Sequence, residues 1–108
     1  MSAAERIDGT LAALADPVRR RIVDVLAAGP RRAGVLADEV GISAPSMSKH
    51  LRVLRDHDLV DDHQGEFDAR VRVYSLRAAP MAELRVWLDA TERGWAEQLA
   101  AFAAHVER

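Results

Sequence analysis

The segment Ala33 to Val60, AGVLADEVGISAPSMSKHLRVLRDHDLV, constrains the fold of this chain more than any other stretch. Ala33, Leu36, Ala37 and Val40 recur at helical spacing, and Gly41 breaks the run. Ser43 then stands where it can cap a second helix whose buried stripe is Met47, Leu51 and Leu54. Two short helices joined by a glycine-containing turn make a unit that can lay its second helix in a DNA groove. Turning 100° per residue from Met47 sends Lys49 and Arg52 to the opposite, outward face, together with Pro45 and Asp56. Ser46 and Ser48 flank the helix start, where short hydroxyls and free N–H groups meet phosphates or base edges. Ser43 is assigned the cap and stands within reach of a phosphate. His50 falls nearer the buried side, which favours packing over base reading. The competing reading is an ordinary helical hairpin with solvated Ser and Arg side chains.

The flanking sequence supplies a body for this unit. Ile7, Leu11 and Leu14 predict a first helix over about 3–15, weakened at Gly9. Asp16-Pro17 predicts a cap and first turn for a core helix carrying Val18, Ile22, Val25 and Leu26, ended by Gly29-Pro30. Downstream, 60–76 reads as a β-hairpin with its second strand over Arg70 to Leu76, its alternation slipping near Tyr74 as at a bulge or strand end. Arg70 and Arg72, two apart, then project from one strand face, either as phosphate clamps or paired with Asp61 or Asp62; Gln64 is a further DNA candidate. After Ala79-Pro80, Leu84, Leu88, Thr91, Trp95, Leu99, Phe102 and Val106 form one apolar seam on a long helix over about 80–106. Met81 to Val106 spans about 39 Å, longer than so small a body can cover, so a partner helix is the simplest cover. Ile7, Leu11, Leu88, Trp95, Leu99 and Phe102 are the expected dimer contacts, and Trp87 either joins them or docks on its own domain.

Composition narrows the function classes. A chain of 108 residues fits one domain. It has no cysteine, which excludes disulfides, thiolate metal sites and thiol redox sensing. The absence of a long apolar run and of a secretion signal leads to the expectation of a cytoplasmic protein that does not enter a membrane. A net charge of −2 weighs mildly against nucleic acid, and residues 61–72 alone carry −2, so any basic surface must be local. There is no Gly-rich phosphate loop, nucleophile elbow or HExxH pattern, so an enzyme is not expected. His57, Asp58, Asp61, Asp62 and His63 match no metal-ligand spacing and read as a solvated charged turn, so neither metal nor cofactor is expected.

With DPVRRRIVDVLAAGP, LADEVGISAPSMSKHLRVLRDHDLV and DARVRVYSL in view, the chain resembles the ArsR-type winged helix-turn-helix repressors of bacteria from about Leu11 to Val106. The resemblance implies a mainly α fold with a small β-hairpin wing and a long C-terminal dimerisation helix. It further implies a homodimeric repressor of double-stranded DNA, with Ser43, Ser46, Ser48, Lys49 and Arg52 at positions of the DNA-reading helix. Two features depart from the family pattern. Members that sense arsenic, cadmium or lead carry cysteines in the helix corresponding to Arg32 to Val40, where this chain has none. Many relatives have glycine where Asp58 stands, and Asp tolerates the left-handed conformation there at some cost. Any effector relieving repression is expected to act through the dimer seam and is unidentified. The alternatives are an architectural protein of weak sequence preference and a winged module that grips a heterologous helix with Trp87 and Trp95.

Overall fold

Local signals place the helices. The computed structural model describes residues 1–106 and runs α1 (Ala3–Leu14), α2 (Pro17–Ala27), β1 (Arg31–Arg32), α3 (Ala33–Val40), α4 (Ala44–Asp56), β2 (Val60–Gln64), β3 (Arg72–Leu76) and α5 (Ala78–Val106). Asp16 caps α2 by accepting from the N–H groups of Val18 and Arg19 at 2.7 and 3.2 Å. The Arg19 N–H is the main cause that holds the Asp16 carboxyl below its ordinary range. Its stabilisation is therefore present above the usual carboxylate pKa and is lost as pH falls through the depressed value. The seven most enclosed large side chains, Ile22, Leu36, Met47, Leu51, Leu54, Leu59 and Val60, come from α2, α3, α4, the bend before β2 and its first residue, so the core sits directly behind the helix-turn-helix unit.

The three consecutive arginines of α2 have a role that no periodicity reveals. Arg19 donates to the carbonyls of Ala13 and Ala12 at 2.6 and 3.3 Å, and Arg20 to those of Leu14 and Ala15 at 2.7 and 3.1 Å. Arg21 donates to the carbonyl of Val40 at the end of α3. These are the orphan carbonyls at helix C-termini, where cations are also favoured by the helix dipole. Arg19 is the most enclosed of the ion-paired arginines among the described residues, with a side chain 18% exposed. Arg19→Ala is expected to lower stability by about 2 kcal/mol, seen as a lower urea midpoint at unchanged slope. An unchanged midpoint would mean that water replaces the guanidinium at no cost.

The sheet differs from a simple hairpin. β1 pairs antiparallel with β3 (Arg31 opposite Tyr74, Arg32 opposite Val73), so the order is β1-β3-β2. A two-residue strand of arginines carries no legible alternation, and only the tertiary arrangement makes it a strand. The β2–β3 ladder is regular from Val60–Leu76 to Gln64–Arg72, so no bulge occurs at Tyr74. The slip in polarity there accompanies partial covering of both faces of β3, since Val73, Tyr74, Ser75 and Leu76 are all half-buried. β3 also begins at Arg72, which leaves Arg70 in the tip turn, outside the strand on which the sequence pattern places it.

α5 starts at Ala78, two residues before Pro80, whose missing N–H falls in the first turn where it breaks no intrahelical bond. Leu84 is its one buried residue among those described. α5 lies against α1, fixed by the Arg6 guanidinium, which donates to Glu83 at 2.9 and 3.1 Å. The 29-residue helix, about 43 Å long, projects beyond the body. The radius of gyration is 18.6 Å, against about 13 Å for a compact chain of similar length. α1 turns Thr10 and Ala13 inward, leaving Leu11 41% exposed. Gly9 is required where α1 crosses the end of α4, since a Cβ there would lie 2.5 Å from His57 Nδ1. Among the described residues, no helix is long and apolar enough to cross a membrane.

Candidate nucleic-acid interface

α4, the candidate recognition helix, is defined at both ends by its own residues. Gly41, at φ 82°, ends α3 with its N–H on Ala37 O at 2.8 Å. Ser43 caps α4 by accepting from the Ser46 N–H at 3.3 Å. At the far end Asp58 adopts φ 59°, its N–H on Arg55 O at 3.0 Å, while the Leu59 N–H reaches Leu54 O at 2.9 Å and Leu59 is fully buried. This is a left-handed stop with a buried apolar residue just beyond it. The conformational cost at Asp58 is partly offset by its carboxylate facing Arg77 at 3.5 Å.

With Met47, Leu51 and Leu54 buried, the opposite face of α4 is presented to solvent. Lys49, Arg52 and Ser48 are exposed, and Ser46 is half-buried at the helix start. None of the ion pairs among the described residues involves Lys49 or Arg52. Two cations without an internal partner on a capped helix can hydrogen-bond an external anion or base edge without first breaking a contact. His50 is half-buried, its Nδ1 3.5 Å from an Arg19 Nη, consistent with packing rather than reading.

Between α4 and the sheet runs a groove of about 310 Å³ lined by Ser48, Leu51, Arg52, Arg55, Asp56 and Tyr74. Sequence reasoning alone misses Arg55 and Tyr74. Arg55, three residues beyond Arg52, continues the same polar face, and that spacing is the available signal; Tyr74 can be placed there only by the register of β3.

The wing resolves differently from its linear charge. Asp62 lies 3.2 Å from Arg55 and 3.9 Å from Arg72, so one carboxylate steadies a guanidinium from the recognition helix and one from the strand. Arg70 instead pairs with Asp68 at 3.3 Å. The Arg70 side chain, with its backbone N–H, holds the Asp68 carboxyl below its usual range, and Arg32 adds a smaller attraction. Arginines from α4 and β1 thus compensate acids that a count over 61–72 leaves unbalanced. Gln64 is exposed at the end of β2, opposite Arg72. Among the described residues, no three His, Cys, Asp or Glu side chains are grouped to hold a metal ion.

A second surface, apolar, lies on α5. Leu88, Trp95, Leu99 and Phe102 are 50%, 62%, 62% and 66% exposed. Trp87, 40% exposed, is only partly covered by its own body and lines a hollow of about 270 Å³ with Ile7, Leu11 and Ala4 of α1.

Residues 14–63 match the family model of a helix-turn-helix domain. The chain is 38% identical over 107 residues to the HTH-type transcriptional regulator Rv2034 of Mycobacterium tuberculosis, covering 99% of this chain and 94% of that protein. It is 36% identical over 77 residues to the transcriptional repressor SdpR of Bacillus subtilis, covering 70% and 81% of the two chains. Among solved structures, the ArsR family transcriptional regulator RHA00566 superposes with a TM-score of 0.75 at 30% identity, covering 86% of this chain and 93% of that one. The chain belongs to the ArsR-type winged helix-turn-helix transcriptional regulators. In this regulator α3 and α4 form the helix-turn-helix, β2 and β3 the wing, and the protein is a DNA-binding transcriptional regulator.

Proposed function

We propose that the regulator acts in the cytoplasm as a homodimeric repressor built on one winged domain per subunit. Two copies of α4 enter successive major grooves of a pseudo-palindromic operator and block the polymerase. The observation that carries this reading is the pairing of a cationic face, Lys49 and Arg52, in no ion pair among the described residues, with an exposed apolar seam on the projecting α5. Ser46 and Ser48 would add phosphate or base-edge contacts at the helix start, and Ser43 would hold the cap. Arg55, Arg72 and Gln64 would track the flanking backbone, with Arg70 at the tip. Ile7, Leu11, Leu88, Trp95, Leu99 and Phe102 would form the twofold interface, and an effector of relief would act through the same helices.

Phosphate contacts would supply most of the affinity and make it steeply salt-dependent, while each good bidentate base contact would discriminate by about 1–3 kcal/mol. The test is selection of duplexes from random-sequence DNA by the purified chain, followed by footprinting upstream of its own gene. The expected outcome is two protected half-sites about one helical turn apart. Recovery of sequences with no common half-site would favour architectural binding and defeat the repressor reading. A stable monomer that ignores all duplexes would defeat it in favour of a protein-interaction module.

A further inference from the structure

Phe67 is 96% exposed, more than any other large apolar side chain among the described residues, and it lies on neither α1 nor α5. It is at the tip of the wing, between β2 and β3. We infer that Phe67 is an apolar wedge that enters the minor groove beside the recognition site, reading the deformability of the base step there. The inference rests on the winged DNA-binding reading above and adds a contact to it.

The tip that carries Phe67 is tied rather than loose. The Gly65 N–H donates to Val71 O at 2.8 Å, the Val71 N–H to Asp68 O at 3.1 Å, and the Arg70 N–H to Asp68 Oδ1 at 3.0 Å. Gly65 is needed for that closure, since a Cβ there would lie 3.0 Å from Asp68 O and 3.2 Å from Val71 Cβ. A closed turn therefore holds an aromatic ring in water, where it gains nothing from its own fold. The nearby Asp68 is compensated by Arg70, whose side chain is 91% exposed and lies three residues from Phe67 in sequence. Glu66 is the one tip acid for which no ion pair occurs among the described residues.

Reach agrees with this assignment. β2 packs on α4 at the hairpin base, and its five residues extend about 17 Å, more than the roughly 12 Å width of the major groove that α4 would occupy. The hairpin is therefore long enough to span from the groove that α4 would occupy to the adjacent minor groove. Apolar side chains inserted there partly unstack a base step, and pyrimidine–purine steps yield most easily.

The full chain would be titrated against duplexes that it selects from random-sequence DNA, with 2-aminopurine placed in the flanking steps. Wild-type binding is expected to raise the 2-aminopurine fluorescence by unstacking. Phe67→Ala is expected to abolish that rise and weaken binding about tenfold, Phe67→Leu to retain most of both, and Glu66→Gln to tighten binding. An unaltered thermal melt would confirm that the exposed position leaves folding intact. If Phe67→Ala binds within about twofold of wild type with the same fluorescence, the wedge is overturned while the recognition-helix reading stands. The wedge is equally overturned if DNA binding is unchanged but binding to purified RNA polymerase is lost. If the wild-type chain selects no duplex, both readings fall together.

Discussion

Trp95→Glu is expected to convert the regulator into a monomer at micromolar concentration and to weaken operator binding by at least about 100-fold, the largest effect of any single substitution proposed for it. Trp95 is 62% exposed on the subunit, with Leu99 and Phe102 following at helical spacing, so a carboxylate at this point would be desolvated opposite its twofold mate. The loss at the operator follows because one subunit then binds one half-site without the second held nearby. Sedimentation reports the first effect and a mobility shift the second. Leu84, the buried anchor of α5, is untouched, so the substituted subunit should still fold, with a melt lowered by the loss of the partner and no longer dependent on protein concentration. A variant that remains dimeric would show that the seam is not the interface.

Removing both outward cations should produce the second largest effect. Lys49→Ala with Arg52→Ala is expected to reduce operator affinity about 100-fold or more, with a smaller loss on random duplex, so that the ratio of specific to non-specific binding collapses. A shallower salt dependence should accompany it if either side chain also holds a phosphate. Neither cation has an internal ion-pair partner among the described residues, so stability should change little. Equal losses on operator and random DNA would demote the pair from reading to simple attraction.

The two surfaces were legible in sequence to different depths. The geometry of α4 was legible nearly residue by residue: Gly41, Ser43 and the Met47–Leu51–Leu54 stripe act within a turn or two of themselves, and the outward face follows from 100° per residue. The departure at Asp58 was legible as well, and the backbone there does adopt the left-handed conformation. The wing was harder. Its acids looked dominant in a linear count because Arg55 and Arg32, which help to compensate them, belong to α4 and β1. Likewise RRR in α2 could pass for a basic patch, whereas Arg19, Arg20 and Arg21 are engaged on helix C-termini from α1 and α3.

By itself the sequence determined which segments become helices, where α4 starts and stops, which face it turns outward, and that the last helix carries more apolar surface than a small body needs. Those properties arise from periodicity and capping, which act over a few residues. Only the tertiary structure decided that two arginines form a third strand, that Asp62 joins Arg55 to Arg72, that Gly9 makes room for His57, and that Leu11 and Trp87 remain partly exposed. Each of these depends on groups far apart in the chain meeting in space, and pairing energies between such groups exist only after the helices have packed.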